Sequence, residues 1–209
     1  MASFPQQDAG YVRACPECMG DVIVPDDNSG QGQPLPLPLT GERLILRRLG
    51  PADWNDLMAC FPENEEDYVV RWLESDSHVR LTTPGQSFYL GMQLRETGKL
   101  IGYLSLTFMD AERLQAQLAC NFNPDFAAGE FSAEALDALV GFCFEGIKLH
   151  RIASKCYGSD DSACKALETV GFRREGEFLK DTRIEDGWAN SLWYGLLEEE
   201  YLARPPATT

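Results

Sequence analysis

The sequence predicts an α/β domain built on a mixed, mostly antiparallel central sheet flanked by helices. Three observations predict it. Strand-like and helix-like segments alternate along the chain without internal repeats. One strongly periodic helix lies between two strands: Leu136, Leu139, Val140, Cys143, Phe144 and Ile147 fall at i, i+3, i+4, i+7, i+8 and i+11. That spacing puts them on one helix face, against a sheet. Two hairpin patterns flank the helix, one turning at Glu96-Thr-Gly-Lys99 and one at Glu185-Asp-Gly187.

The elements follow in order. Residues 1–14 carry no periodic pattern. Residues 1–25 form an N-terminal element holding Cys15-Pro-Glu-Cys18 and then a short strand ending at Pro25. The knuckle resembles half of a zinc ribbon, with Cys15 and Cys18 as its metal ligands. Zinc takes four ligands, usually from two such pairs. The second pair is missing, since the next cysteine is Cys60 and no histidine precedes His78. A degenerate ribbon remnant is the favoured reading; a metal shared between two copies is the alternative. Residues 26–38 read as a Pro/Gly linker, extended in its second half.

The main domain is expected over 39–203, with 204–209 as a tail. Glu42–Arg48 reads as a strand, and Pro51-Ala-Asp opens a helix with Trp54, Leu57 and Met58 inward. Asn64–Asp67 is an acidic loop and Tyr68–Leu73 a second helical segment. Phe88–Arg95 and Leu100–Thr107 pair, and Gly102 marks a bulge or a close backbone approach. Leu114–Phe122 alternates cleanly, with Leu114, Ala116, Leu118, Cys120 and Phe122 on one face. Asn123-Pro124 ends that strand, and Ser132 is the expected N-cap of the periodic helix. Arg151–Tyr157 is a short strand. Asp160 or Asp161 caps a helix that Gly171 ends. Arg173–Asp181 and Trp188–Leu196 form the last hairpin.

Composition narrows the function. The chain carries 18 Lys and Arg against 33 Asp and Glu, a formal net charge of -15. That argues against nucleic-acid binding, which needs a basic footprint. It suits a cationic or amine substrate, although an acidic balance more often serves solubility. The 7 cysteines are odd in number and mostly sit at apolar positions. Reduced thiols in a cytoplasmic protein are the expectation. No run is long and apolar enough to span a bilayer, and no signal-peptide pattern opens the chain. The acidic run Glu63, Glu65, Glu66 and Asp67 reads as a solvated loop before it reads as an amine-steering one.

Around the periodic helix the sequence resembles the GCN5-related N-acetyltransferases, in the branch that acetylates ribosomal-protein N-termini. The family's central motif runs proline, aromatic, Gly-x-Gly, then Glu-Ala. Here it stands as Pro124, Phe126, Ala127-Ala128-Gly129-Glu130, then Glu134-Ala135. The likeness extends to Leu39–Trp54, Gly98–Leu106, Leu149–Ile152, Ala166–Gly176 and Asp186–Tyr201. It implies a GNAT-like acyl-CoA N-acyltransferase fold, acetyl-CoA as co-substrate and an amine acceptor. It implies a splay between 118–122 and 151–157, whose backbone groups hold the pantetheine arm. Coenzyme-binding residues implied by position are Cys120, Asn121, Phe122, Ala127, Ala128, Gly129, Glu130, Phe131, Ser132 and Asp160. A strand, a small-residue loop and a helix N-terminus form a usual phosphate site.

Acyl transfer from a thioester to an amine needs donors for the developing oxyanion, loss of an amine proton, and an acid for the thiolate. This sequence departs from the family where that chemistry sits. Ala128 and Glu130 stand at the Gly-x-Gly glycines, and Asp125 at the usual arginine or glutamine. Asn-x-x-Ser becomes Asp160-Asp161-Ser162-Ala163, and Leu167 takes the place of a tyrosine. Asp160 and Ser162 are the catalytic candidates that remain, Ser162 being turned by about 100° on the helix. No general base is named. The working expectation is an N-acyltransferase moving an acetyl group to a protein N-terminus or a small-molecule amine. Its rivals are a catalytically silent binding or regulatory scaffold, and an enzyme using another acyl donor. The acceptor is not legible, and the oligomeric state is open between a monomer and a homodimer through the last hairpin or the N-terminal arm.

Overall fold

The structure is a computed structural model. It describes residues 23–25, 32–34, 37–60, 87–110, 114–123, 125–126, 128–184 and 187–204. Cys15, Cys18, the acidic loop at 64–67, the helical segment at 68–73, His78, Pro124 and Ala127 lie outside them.

Strands β1 (Ile23–Pro25) and β2 (Gly32–Pro34) pair antiparallel, so part of the sequence-read linker is a hairpin strand. The main sheet holds β3 (Leu39–Thr40), β4 (Leu44–Arg47), β5 (Ser87–Leu94), β6 (Leu100–Phe108), β7 (Gln115–Phe122), β8 (Arg151–Tyr157), β9 (Arg173–Ile184) and β10 (Gly187–Leu197). Their spatial order is β3-β4-β5-β6-β7-β8-β10-β9. Every neighbouring pair runs antiparallel except the central pair, β7 and β8, which is parallel.

Period-two alternation decides which side chains face the helices. On β6, Leu104, Leu106 and Phe108 enter the main core, while Tyr103, Ser105 and Thr107 point to the opposite face. Helix α2 (Ala128–Gly141) covers the core face, with Ala135, Leu139 and Val140 fully buried. The predicted stripe holds through Cys143 and Phe144, now within a π-helical segment, Phe142–Ile147. Lys148 in the left-handed region ends it. Helix α3 (Asp161–Thr169) packs beside α2, with Ala166 and Leu167 inward. On the other face a 3-10 turn at Pro51–Asp53 leads into α1 (Trp54–Met58). Leu57 packs there with Leu49, Leu100 and Tyr103. After β10, α4 (Glu198–Leu202) closes the described chain, and Arg204 donates to the Val170 carbonyl at 2.5 Å.

Two sequence expectations are corrected. Ser132 is not the N-cap of the central helix: α2 begins at Ala128, so Ser132 lies one turn inside it and is buried. The small residues before it continue the helix rather than forming an open loop. Leu114 does not belong to the buried face of β7; it precedes the strand and is 48% exposed.

Candidate active site

The central parallel pair is only half zipped. Gln115, Ala116, Gln117 and Leu118 pair with Arg151, Ile152, Ala153 and Ser154. Beyond that register the strands part, although β7 runs on to Phe122 and β8 to Tyr157. Each stays bound to its outer neighbour: Phe122 pairs with Gly102 of β6, and Tyr157 with Ser191 of β10. Their inner edges therefore carry backbone groups that no strand partner takes, and such groups need a partner or solvent.

Local chemistry fixes where the strands separate. The Ser154 hydroxyl donates to the Leu118 carbonyl at 3.0 Å, occupying the acceptor at the last paired position. On the other side of β7, Gly102 lets β6 come close. A Cβ there would stand 2.2 Å from the Asn121 carbonyl oxygen and 2.6 Å from Met92 Cε. The β5–β6 register shifts beside it, between Met92 and Gln93. The sequence reading of Gly102 as a bulge or close approach thus meets both features.

Two clefts meet at the splay. The one on the helix face measures about 340 Å³ and is bounded by Phe122, Phe126, Ser132, Leu136 and Leu167. The one on the opposite face measures about 180 Å³ and is lined by Ser87, Tyr89, Tyr103, Ser105, Thr107 and Gln117. Cys120, Asn121, Lys155, Cys156, Tyr157, Asp160 and Ala163 line both. The strand gap is therefore a throat joining the helix-face slot to a second slot rich in polar side chains.

The outer end of the helix-face slot lies near the start of α2. The first N–H groups of a helix have no intrahelical partner and carry a partial positive charge. Those of Ala128, Gly129 and Glu130 fall in this first turn. Asn123, buried at the strand end, turns the chain toward it. Its side-chain oxygen accepts from the Asp125 amide at 2.9 Å, and its carbonyl from the Phe126 amide at 2.9 Å. The acid at Asp125 is exposed. Cations flank the turn: Lys99 Nζ sits 5.0 Å above the Phe126 ring, and the Arg43 guanidinium 4.7 Å above Phe131. Glu134 clasps α2 to the sheet, accepting from the Arg43 amide at 2.6 Å, Arg43 Nε at 2.9 Å and the Leu44 amide at 3.0 Å.

Of the sequence-named coenzyme residues, Cys120, Asn121, Phe122, Ser132 and Asp160 line the helix-face slot. Ala128, Gly129 and Glu130 supply backbone at the helix start. Phe131 instead packs on the core under Arg43. Asp160 caps α3, its Oδ1 accepting from the Ala163 amide at 2.9 Å. Ser162 is half-buried on α3 and lines neither cleft, whereas Ala163 and Leu167, where the family carries hydroxyls, do line the slot. Asp110 spends one oxygen on the Leu114 amide at 2.8 Å.

Sequence reasoning missed the polar cleft altogether. Its side chains come from the polar positions of β5, β6 and β7, which alternation alone assigns to solvent; only tertiary approach brings them together, as with the Tyr89 and Tyr103 rings, 6.1 Å apart. It also missed Lys155 as an ion-pair centre. Lys155 Nζ donates to Thr182 at 2.9 Å and lies 3.5 Å from Asp181. Hydrogen bonding from Ser191, then the Lys155 charge, holds the Asp181 carboxyl below its usual range against some desolvation. Burial pushes the Cys120 and Cys156 thiols up, so both stay protonated at neutral pH. Among the described residues no cluster of His, Cys, Asp or Glu gathers to hold a metal, and no helix is long and apolar enough to cross a membrane.

A mixed sheet split at its one parallel seam thus carries a slot on each face, joined through the sheet. The family model described as an acetyltransferase (GNAT) domain matches residues 43–173, and the chain belongs to that family as a GNAT-type N-acetyltransferase. It is 23% identical over 171 residues to the uncharacterized N-acetyltransferase YnaD of Bacillus subtilis, covering 78% of this chain and 98% of that one. Against the uncharacterized N-acetyltransferase p20 of Bacillus licheniformis it is 25% identical over 122 residues, covering 58% of this chain and 68% of that one. The fold superposes on a GNAT acetyltransferase from Bacillus anthracis with a TM-score of 0.64 at 22% identity, covering 78% and 99%. A spermidine N-acetyltransferase SpeG chimera from Vibrio cholerae and hSSAT gives 0.64 at 16%, covering 78% and 100%.

Proposed function

We propose that the protein moves an acetyl group from acetyl-CoA to a primary amine of a protein N-terminus or a small molecule. The observation that carries this reading is the throat between 119–122 and 155–157, open to a slot on either face. The residues present fit a coenzyme A thioester. The inner edge of β7 beyond Leu118, where its register with β8 ends, offers backbone donors and acceptors to a pantetheine arm. The first turn of α2 offers amides to a diphosphate, with Lys99 and Arg43 nearby to offset the acids. Acetyl-CoA supplies an activated acetyl thioester. The polar slot orients the amine, and its hydroxyls and Gln117 hold neighbouring polar groups.

Proton handling in this proposal falls to the throat. Asp160 is the carboxylate there, with one oxygen committed to its cap, and Tyr157 lines both clefts beside it. Ser162 is the weaker candidate, since it faces neither slot. The amine delivers its proton to water or Asp160, so the rate should rise with pH through the acceptor's own titration. A cytoplasmic monomer or homodimer fits the reading. The rival, a scaffold without turnover, is favoured by one observation: Ala163 and Leu167 put no hydroxyl into the slot where the family places its acid.

Calorimetric or thermal-shift titration with acetyl-CoA tests the donor half. Binding raises apparent stability as RT ln(1 + [L]/Kd). No shift at millimolar coenzyme would sink the enzyme reading. Glu130→Gly should tighten coenzyme binding by removing a negative charge from the first turn of α2. A panel of peptide N-termini, amino acids, polyamines and aminoglycosides, followed by free-thiol release, then sorts the acceptor.

A further inference from the structure

Acetyl transfer uses no protein thiol, yet two sit in contact at the throat. Cys156 Sγ and Cys164 Sγ are 3.1 Å apart. Cys156 stands on the open half of β8 and lines both clefts. Cys164 lies in the first turns of α3, half-buried, and is close to the Tyr157 carbonyl at 3.9 Å. Disulfide sulfurs lie about 2.05 Å apart, so closure asks each side chain for roughly half an ångström. We propose that Cys156 and Cys164 form a reversible disulfide that weakens coenzyme binding by tying β8 to α3 at the throat.

The chemistry balances with a small-molecule disulfide as oxidant. The thiolate of the better-exposed Cys164 attacks one sulfur of that disulfide and expels the other half as a thiol. Cys156 then loses its proton, attacks Cys164 Sγ and expels the second half. Two protein thiols are oxidised, and the small disulfide is reduced to two thiols. Burial, then the hydrogen bond to Cys164, pushes the Cys156 thiol up, with Arg174 opposing. Cys156 is therefore the slower, resolving partner. Once formed, the bond fixes α3 against the segment Lys155–Tyr157 and shifts Cys156, which lines both clefts, so it reshapes the wall against which the cysteamine end would lie. The gating half of the proposal rests on the coenzyme reading; the disulfide does not.

The sequence makes the test direct, because Lys155 and Lys165 leave both cysteines in one tryptic peptide, Cys156–Lys165. The protein is incubated with oxidised glutathione, alkylated and digested. The expected peptide lacks both alkyl groups and is lighter by two hydrogens than its unmodified reduced form. The acetyl-CoA thermal shift should fall on oxidation and return with dithiothreitol. In Cys164→Ser, or Cys164→Ala where the serine protein does not fold, oxidant should leave that shift unchanged. Two alkylated cysteines, or separate glutathione adducts, overturn the proposal. A mapped disulfide with an unchanged acetyl-CoA shift overturns the gating. No shift even in the reduced protein overturns the coenzyme reading and the gating with it, while the peptide alone still decides the disulfide.

Discussion

The zipped and open halves of the β7–β8 seam are made from the same two strands, yet they do different work. Where Ala116 and Leu118 lie beside Ile152, the side chains on the helix face are apolar and fully buried, and the two strands are in register. One turn of pleat further on, Cys120, Asn121, Lys155 and Tyr157 are only half-buried, and the ladder is gone. The outer neighbours do not let go: β6 and β10 follow their partners to the end. A gap can therefore exist in the middle of a sheet without loss of order, because each lip is stiffened from behind. On the proposed function, the first half carries stability and the second carries ligand binding. Substitutions that blur the boundary should affect both.

The largest effect is expected from Gly102→Val. Its side chain would collide with the Asn121 carbonyl, which as backbone cannot step aside without moving the strand, and with the end of the Met92 side chain. Overpacking and backbone strain together should cost about 3 kcal/mol. Urea denaturation would measure it, and acetyl-CoA binding should be lost in the fraction that still folds. A stable protein that binds coenzyme normally would show that the close approach of β6 does not shape the open lip. Next comes Ser154→Val, which removes the hydroxyl from the Leu118 carbonyl and leaves a buried acceptor without its donor. About 2 kcal/mol is expected. Coenzyme affinity should fall as well, because the point of separation is no longer pinned. Stability loss with unchanged affinity would make Ser154 a core residue only.

Asp160 sits on the boundary in another sense, being both helix cap and throat carboxylate. Asp160→Ala should destabilise by about 1 kcal/mol, and Asp160→Asn should restore most of that, since asparagine caps equally well. Turnover separates the roles. If Asn recovers stability but not kcat, the carboxylate handles a proton; if it recovers both, the residue is a cap and the acid lies elsewhere, with Tyr157→Phe the next test.

Much of this was legible before any coordinates. The stripe from Leu136 to Phe144, the limits of β8, a cap at Asp160 or Asp161, of which the structure takes Asp160, and the Gly171 terminator follow from spacing and local chemistry, which need no long-range information. The start of α2 was not, because Ala128, Gly129 and Glu130 carry no capping side chain and a serine further on mimicked one. The throat was not readable from hydrophobic pattern either: alternation continues through Cys120, Phe122 and Cys156 as though pairing went on, and it was anticipated only through family resemblance. A register that stops is a property of two strands together. The polar slot and the Cys156–Cys164 contact are likewise products of tertiary approach, with no periodic trace in the chain.

The smallest expected effect lies away from the seam, at the clasp between α2 and β4. Burial alone would raise the Glu134 carboxyl, but donation from the Arg43 and Leu44 amides and the Arg43 guanidinium outweighs it and holds the group below the usual range. A depressed folded-state value means the carboxylate stabilises the fold above the unfolded value of about 4.3 and ceases to as pH falls through the folded one. Glu134→Gln should therefore cost about 1 kcal/mol near neutral pH, the range of a charge-assisted bond to a partly exposed arginine. The difference from the parent protein should shrink as the pH drops below about 4. Paired urea melts across that range would measure it. Acetyl-CoA affinity should stay the same throughout, because the clasp holds the flank of α2 rather than its first turn; an affinity that tracks the melt would mean the helix start is positioned from β4 and not from Asn123.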